Sequence, residues 1–295
     1  MIDIINESKG YVAHGVSACA GCGMELIIRN ILEVLGQDTT VVIPPGCSAL
    51  FCGFGKESGL RVSAFQGNLE NSAAYAAGIR AGYRAQGNNH TTVLAYAGDG
   101  GTLDIGLQSL SGMMERGDDV LYVCYDNEAY MNTGIQGSSA TPFGAWTTTT
   151  PAGKPVQKKD LLGIAMAHGV PYCASASVSH IPDLRKKAAK AKEIKGPRLL
   201  HVLCPCPTGW GISPAKSVET ARKAVQSGAW VLYEYENGKV KVTARQKELL
   251  PIREYVSLQK RFRGISEENI GLLQLQVRQN YQRLLRMEEQ GAQEE

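Results

Sequence analysis

No stretch of this 295-residue sequence approaches 18 consecutive apolar residues, so a membrane-spanning helix is not expected. The opening residues, Met1 to Gly10, lack a basic segment followed by an apolar one and do not read as a secretory signal, which makes the cytoplasm the expected compartment. An excess of one charge is also missing. Lys and Arg number 31 against 28 Asp and Glu, and the resulting +3 is too weak to imply a nucleic-acid partner. Internal repeats are absent. The hydrophobic share, 43%, is ordinary for a globular protein, and the length suffices for one large α/β domain or two modest ones.

Against these absences, eight cysteines stand out. A reducing compartment makes disulfides a poor use for them, which moves metal or redox chemistry forward. The densest basic stretch, Arg185, Lys186, Lys187, Lys190, Lys192 and Lys195, has helical spacing and reads as a solvated helix face. A docking surface for an acidic electron carrier is the sharper alternative.

Short, continuously apolar runs at residues 40–43, 91–97, 120–125 and 199–203 have the character of strands in a parallel sheet covered on both faces. Helix-like stretches at 24–35, 70–84, 104–116, 159–168 and 181–194 alternate with them. The expected architecture is α/β, a doubly wound and mostly parallel sheet. Residues 133–155, rich in Gly, Ser, Thr and Pro, show neither period, and a loop of that length directly after a strand points to function. From Val231 the pattern reads as a β-hairpin turning at Asn237-Gly238, then a final helix capped by Ser266 with Ile270, Leu273, Val277, Tyr281 and Leu284 along one face. That gives a main domain over 1–228 and a C-terminal extension over 229–295, whose helix either packs on its own domain or contacts a partner.

The strand Val93 to Ala97 runs into Gly98-Asp99-Gly100-Gly101, and a second strand runs into Asp126-Asn127, with 26 residues between Gly100 and Asn127. Two parallel strands ending at one carboxyl edge form the place where open α/β sheets bind ligands. Glycines there let the backbone approach a diphosphate, and a carboxylate with an amide oxygen suits magnesium. A lone Gly-Asp-Gly is weak; the whole strand, turn, helix, strand and Asp-Asn arrangement is far more specific.

Cys19-Ala20-Gly21-Cys22 opens the domain ahead of a helix. A thioredoxin-like pair needs a preceding strand, which Gly10 to Ser17 does not supply; zinc prefers two such pairs; an iron–sulfur site needs four thiolates scattered as the fold allows. Cys47, Cys52, Cys204 and Cys206 compete for the remaining positions, whereas Cys124 and Cys173 lie in strand-like runs and read as core. His14 reads as part of a polar network.

Taken together, Gly98 to Gly101 with Asp126-Asn127, the segment Tyr125 to Gln136, Ser139 to Gly144, Cys19-x-x-Cys22-Gly, Gly46-Cys47-Ser48 and Pro205-Cys206-Pro-x-Gly-Trp resemble the thiamin-diphosphate-binding β subunits of 2-oxoacid:ferredoxin oxidoreductases, over residues 10–240. Asp126 stands where the thiamin motif ordinarily has an asparagine. The resemblance implies a thiamin-diphosphate-binding fold with a cluster-binding N-terminal segment. It implies Mg2+ on Asp99, Asn127 and the Ala129 carbonyl, and a 4Fe-4S cluster on Cys19, Cys22, Cys47 and Cys206, with Cys204 the rival for the fourth place. The cofactor would lie against Gly46, Cys47, Ser48, Gly98, Asp99, Gly100, Gly101, Asn127, Ala129, Met131, Asn132 and Thr133, with Asn132 facing the substrate. The implied activity is oxidative decarboxylation of a 2-oxoacid, pyruvate first among them, with coenzyme A as acyl acceptor and ferredoxin as electron acceptor. Met24 follows Gly23 where the family often has glutamate, so the group that activates thiamin, and further clusters, are expected from partner subunits. A cluster-free thiamin decarboxylase or synthase, and a non-catalytic iron–sulfur or zinc module, are the competing expectations.

Overall fold

A computed structural model describes residues 10–13, 16–52 and 58–293; His14 lies outside them. Among the described residues the chain builds one eight-stranded sheet from β1 (Thr39–Ile43), β2 (Ser63–Gln66), β3 (Thr92–Gly98), β4 (Leu121–Asp126), β5 (Tyr172–Ser177), β6 (Arg198–Leu203), β7 (Tyr233–Glu236) and β8 (Lys239–Val242), in the order β2-β1-β3-β4-β6-β5-β7-β8. The first six are parallel; β7 and β8 form an antiparallel hairpin that joins the sheet through β5.

Continuous apolar runs become strands here because both faces are covered. Every residue of β1, β4, β5 and β6 is buried. Alternate side chains enter two cores: Val41, Ile43, Leu94, Tyr96, Leu121 and Val123 on one face, Val42, Val93, Ala95, Ala97, Tyr122 and Cys124 on the other. The helices are α1 (Gly23–Leu35), α2 (Ser72–Ala85), α3 (Leu107–Glu115), α4 (Leu161–Ala167), α5 (Ile181–Glu193), α6 (Pro207–Trp210), α7 (Ser217–Gln226), α8 (Ile252–Val256) and α9 (Glu267–Gln293). In α1, Met24, Ile27, Ile28, Ile31, Leu32 and Leu35 recur at helical spacing and fill the first core. No helix among the described residues is long and apolar enough to cross a membrane.

The doubly wound parallel sheet agrees with the sequence, and so do the hairpin and the last helix. Asn237 and Gly238 both take positive φ, 46° and 92°, as a tight hairpin turn of this type requires. Ser266 Oγ accepts from the Asn269 N–H at 3.1 Å, capping α9, whose Leu273, Val277, Tyr281 and Leu284 are buried. Two strands, β2 and β5, and three helices, α6, α7 and α8, go beyond the expected set. The residues of β2 are all exposed, and β5 is built largely of Ala and Ser, so neither carries a β-branched signature. Helix α7 follows Pro214 in a segment without an obvious start signal.

The basic stretch on α5 is a solvated face only in part: Arg185, Lys186 and Lys195 are exposed, but others turn inward. Lys187 is buried and donates to Ser175 O at 2.8 Å, Asp183 at 2.7 Å and Thr243 Oγ1 at 2.8 Å. Lys190 pairs with Glu234 and Glu236, and Arg185 with Asn30 and Glu33. These cations hold α5 to the sheet and to α1.

Candidate functional site

The order of the strands reverses between β1 and β3: from β1 the chain passes outward to β2, from β3 the other way to β4. Ligands of open α/β sheets sit outside the carboxyl ends at such a point. Gly46-Cys47-Ser48 follows β1 here, Asp99 follows β3, and Asn127 follows β4, whose Tyr125 is in register with Gly98.

Asp99 is buried, and its Oδ2 accepts from Ser138 Oγ at 2.5 Å while Oδ1 accepts from the Asn127 N–H at 3.3 Å. Burial, reinforced by the nearby Asp126 carboxylate, pushes the Asp99 carboxyl well above its usual range. The Asn127 amide has a terminal atom 3.0 Å from Asp99 Oδ1 and 2.7 Å from the Ala129 carbonyl oxygen. With nitrogen there, the amide donates to both. With oxygen there, it accepts from the Ala129 N–H at 3.4 Å and three oxygens face one another. That second arrangement is repulsive unless a cation lies among them. Adjacent ligands of an octahedral Mg2+ are about 2.9 Å apart, given metal–oxygen distances of 2.0–2.1 Å. The donor set therefore fits the ion.

The turn that carries these oxygens is held from behind. Glu128 sits between Asn127 and Ala129 at φ 67°, a left-handed conformation costly for a residue with a side chain. Thr141 Oγ1 donates to its carbonyl at 2.7 Å, Lys158 lies 2.7 Å from its carboxylate, and Arg261 pairs with the same carboxylate. Asp126 is buried too. Burial alone would raise its pKa, but Lys158 at 3.2 Å and His201 at 2.8 Å overcome that and bring it to about 2. Of the two neighbouring carboxylates, Asp126 contacts Lys158 and His201 directly, whereas Asp99 has no ion pair among the described residues.

At the end of β1, Gly46 takes φ 148°, which an L side chain rarely adopts, and turns the chain so that Cys47 leads a short 3-10 turn. Ser48 N donates to the Tyr125 hydroxyl at 3.1 Å, and that hydroxyl donates to Ser48 Oγ at 2.9 Å. Cys19 is exposed; Cys22, Cys47, Cys52 and Cys206 are half-buried; Cys124, Cys173 and Cys204 are buried. The Cys22 N–H closes the CxxC turn on Cys19 O at 3.0 Å, and Cys206 Sγ accepts from the Gly209 N–H at 3.4 Å. Burial pushes the Cys22 thiol up to about 11, with Cys206 and Cys19 adding to it. It pushes Cys47 up to about 12, with Cys206, Cys22, Cys19 and Asp99 adding. The four thiols thus share one electrostatic neighbourhood, which reaches Asp99. Cys204 adds to it from behind, packed against the start of α1 at Gly23.

Among the described residues no three Cys, His, Asp or Glu side chains converge closely enough for a single metal ion. A four-iron cluster sets each thiolate on a different iron and needs a wider pocket. Cys124 and Cys173 are core residues, as expected.

Beyond the turn, Met131 packs so closely on Gly209 that a Cβ there would meet its sulfur at 2.1 Å, placing Met131 beside the Cys206 turn. Asn132 and Thr133 are exposed. Gly100 is equally constrained: a Cβ would lie 2.4 Å from the Tyr130 ring. The loop 133–155 folds back on the site through Ser138 and Thr141. Reasoning from sequence does not single out Tyr125, Ser138, Lys158, His201, Trp210 or Arg261 for these roles. A cavity of about 250 Å3 behind Lys158, lined by Leu161, Trp230, Tyr233 and Leu273, contains none of the residues expected at the site.

Residues 45–202 match the family described as thiamine pyrophosphate enzyme, C-terminal TPP binding domain. The chain is 48% identical to the pyruvate synthase subunit PorB of Methanothermobacter thermautotrophicus over 90% of its own length and 93% of that protein's. It is 44% identical to the ketoisovalerate oxidoreductase subunit VorB of Pyrococcus furiosus over 96% and 94%. The chain belongs to the thiamin-diphosphate-binding β-subunit family of the 2-oxoacid:ferredoxin oxidoreductases. Among solved structures, a 2-oxoglutarate:ferredoxin oxidoreductase from Magnetococcus marinus superposes with a TM-score of 0.60 at 20% identity, covering 90% of this chain and 96% of that one, and so shares the family's fold. Ser48, Asp99 and Asn127 all lie within the matched residues 45–202.

Proposed function

We propose that this chain holds thiamin diphosphate, Mg2+ and a 4Fe-4S cluster in an oxidoreductase that converts a 2-oxoacid, coenzyme A and oxidised ferredoxin to acyl-CoA, carbon dioxide and reduced ferredoxin. The observation that carries the reading is the convergence of the Asp99 carboxylate, the Asn127 side-chain amide and the Ala129 carbonyl at the switch point of the sheet, with Cys47 under the electrostatic influence of Cys19, Cys22 and Cys206 beside them. Converting a 2-oxoacid anion and a thiol to a thioester and carbon dioxide releases one proton and two electrons, so an electron acceptor beside the decarboxylation site is a chemical necessity. Thiamin, when bound, supplies the electron sink for decarboxylation.

The chain's own groups have distinct tasks. Asp99, the Asn127 side chain and the Ala129 carbonyl would hold Mg2+, and Gly98, Gly100 and Gly101 would let the backbone approach the diphosphate. Ser48, fixed by Tyr125, keeps Cys47 at the cofactor. Cys19, Cys22, Cys47 and Cys206 ligate the cluster. Cys206 is preferred to Cys204 because it is half-exposed like Cys22 and Cys47, while Cys204 is fully enclosed. Asn132, exposed beyond Met131, faces the substrate.

Met24 stands where an activating glutamate would follow Gly23, and partner subunits supply that group and further clusters. Phe65, Ile105 and Trp146 are 42%, 53% and 41% exposed, apolar surface suited to such a partner. Pyruvate is the first choice of substrate, on the segment from Tyr125 to Gln136 and the 48% identity to a pyruvate synthase subunit. The reading is tested by co-expressing the chain anaerobically with its partner subunits and following ferredoxin reduction with pyruvate, 2-oxoisovalerate and 2-oxoglutarate. Coenzyme A-dependent reduction fastest with pyruvate is expected. Decarboxylation by a colourless complex without ferredoxin reduction would instead mark a cluster-free decarboxylase.

A further inference from the structure

We propose that Arg261, brought from the C-terminal segment, both braces the metal-binding turn and sets the reduction potential of the cluster through the Cys206 turn. The inference rests on the cluster and Mg2+ assignments above and concerns a residue that no motif marks.

Arg261 is only 4% exposed. Its guanidinium pairs with Glu128, the left-handed residue between Asn127 and Ala129, and its Nε donates to Gln259 Oε1 at 2.9 Å. The Trp146 N–H anchors its backbone carbonyl at 2.8 Å. Its Cζ lies 3.8 Å from the centre of the Trp210 ring, a stacked cation. Trp210 ends the four-residue helix α6 that Cys206 caps, donating its backbone N–H to Cys206 O at 2.9 Å and its indole N–H to Asn127 O at 2.8 Å. One guanidinium thus touches the carboxylate behind the metal oxygens and the ring that ties the Cys206 turn to them.

The charge matters as well as the packing. A guanidinium stays protonated at any working pH, and the field of a charge as buried as this one is less screened than that of a surface charge. The guanidinium lies one ring away from the Cys206 turn, stacked at 3.8 Å on Trp210, whose backbone N–H is bonded to Cys206 O. The same field favours the cluster after it gains an electron, because reduction adds negative charge beside a fixed cation. Cluster potentials respond to net charge and to hydrogen bonding at the sulfurs. The electron comes from the 2-oxoacid as it is oxidised and leaves to ferredoxin, so the charge acts on an intermediate station. Lysine could supply the charge without the planar stack on Trp210.

The test uses the complex with its partner subunits and variants Arg261→Met, Arg261→Lys and Glu128→Gln. Iron content is measured first, then the midpoint potential of the cluster followed by paramagnetic resonance, then Mg2+-dependent binding of thiamin diphosphate. With iron retained, Arg261→Met shifts one midpoint to more negative potential, and Arg261→Lys keeps that midpoint near wild type while thiamin diphosphate binding weakens roughly tenfold, as for loss of an outer-shell partner. Glu128→Gln, which leaves the cation without that anion, shifts the midpoint the other way, and this sign test survives if the Met variant fails to fold. Unchanged midpoints in iron-replete Arg261→Met and Glu128→Gln overturn the inference and leave the proposed function standing. An iron-free wild-type chain would remove the proposed function and this inference together.

Discussion

The buried Tyr125 hydroxyl both accepts from the Ser48 N–H at 3.1 Å and donates to Ser48 Oγ at 2.9 Å, tying the end of β4 to the Cys47 turn across 77 residues of sequence. Its ring packs on Tyr96 at 4.9 Å, and the Tyr96 hydroxyl donates to Met24 O at 2.7 Å, just after Cys22. Two of the thiol-bearing segments are therefore pinned to the sheet by tyrosine hydroxyls.

Tyr125→Phe removes two hydrogen bonds and leaves the Ser48 N–H without its partner, a loss of about 1–3 kcal/mol. Thermal denaturation of the purified complex should show a lower melting temperature, and iron should be lost faster to a chelator. A melting temperature and chelation rate equal to wild type would contradict the role given to this hydroxyl.

Lys158 neutralises both Asp126 and Glu128. Replacing it with methionine leaves Asp126 to His201 and Glu128 to Arg261. Lys158 is 25% exposed and each carboxylate keeps a second partner, so the loss is about 1–3 kcal/mol, below that for a fully buried pair left unpaired. Urea denaturation measures this, and a cost below about 1 kcal/mol would show that the pairs are solvated in solution.

The same pairing predicts a pH dependence. Asp126 has its folded-state pKa lowered from 3.8 to about 2. A depressed carboxyl pKa contributes stability that is complete above the unfolded value and fades as pH falls through the folded one. The stability lead of wild type over Asp126→Asn should include about 2 kcal/mol from this source above pH 5, shrinking between about pH 4 and pH 2. A lead constant across that window would show that Asp126 is not held ionised by Lys158 and His201.

At the metal oxygens, Asp99→Asn and Ser138→Ala should separate by severity. Ser138 only orients Asp99, so its loss should weaken Mg2+-dependent thiamin diphosphate binding by roughly 10–100-fold. Loss of the Asp99 carboxylate should exceed that. Titration calorimetry of the complex with and without Mg2+ reads both, and equal, metal-independent affinities would contradict the three-oxygen site.

Much of the fold is legible in the sequence because β1, β3, β4 and β6 each carry a mostly apolar run, Asn237-Gly238 dictates its turn, and Ser266 its cap. The strand β2 escapes notice because all its residues are exposed and unpatterned, and β5 because Ala and Ser fill a crowded interior without a β-branched signal. At the site, Asp99 and Asn127 are marked by fixed spacing from strand ends. Their supports are not: Ser138 lies 39 residues from Asp99, and Arg261 lies 133 residues from Glu128. Such pairings are made by tertiary packing, which leaves no local period or motif. The basic stretch on α5 misleads in part for the same reason, since the partners of Lys187 and Lys190 include Thr243, Glu234 and Glu236 from the far hairpin region.

The most direct test of the central claim is the iron and acid-labile sulfide content of the anaerobically purified complex, comparing wild type with Cys206→Ala and Cys204→Ala. The structure predicts a loss of about four irons per copy of this chain with Cys206→Ala, and full content with Cys204→Ala. Unchanged iron in Cys206→Ala, or the loss appearing with Cys204→Ala instead, would contradict the ligand set; no difference among the three together with a colourless chain would contradict the cluster itself.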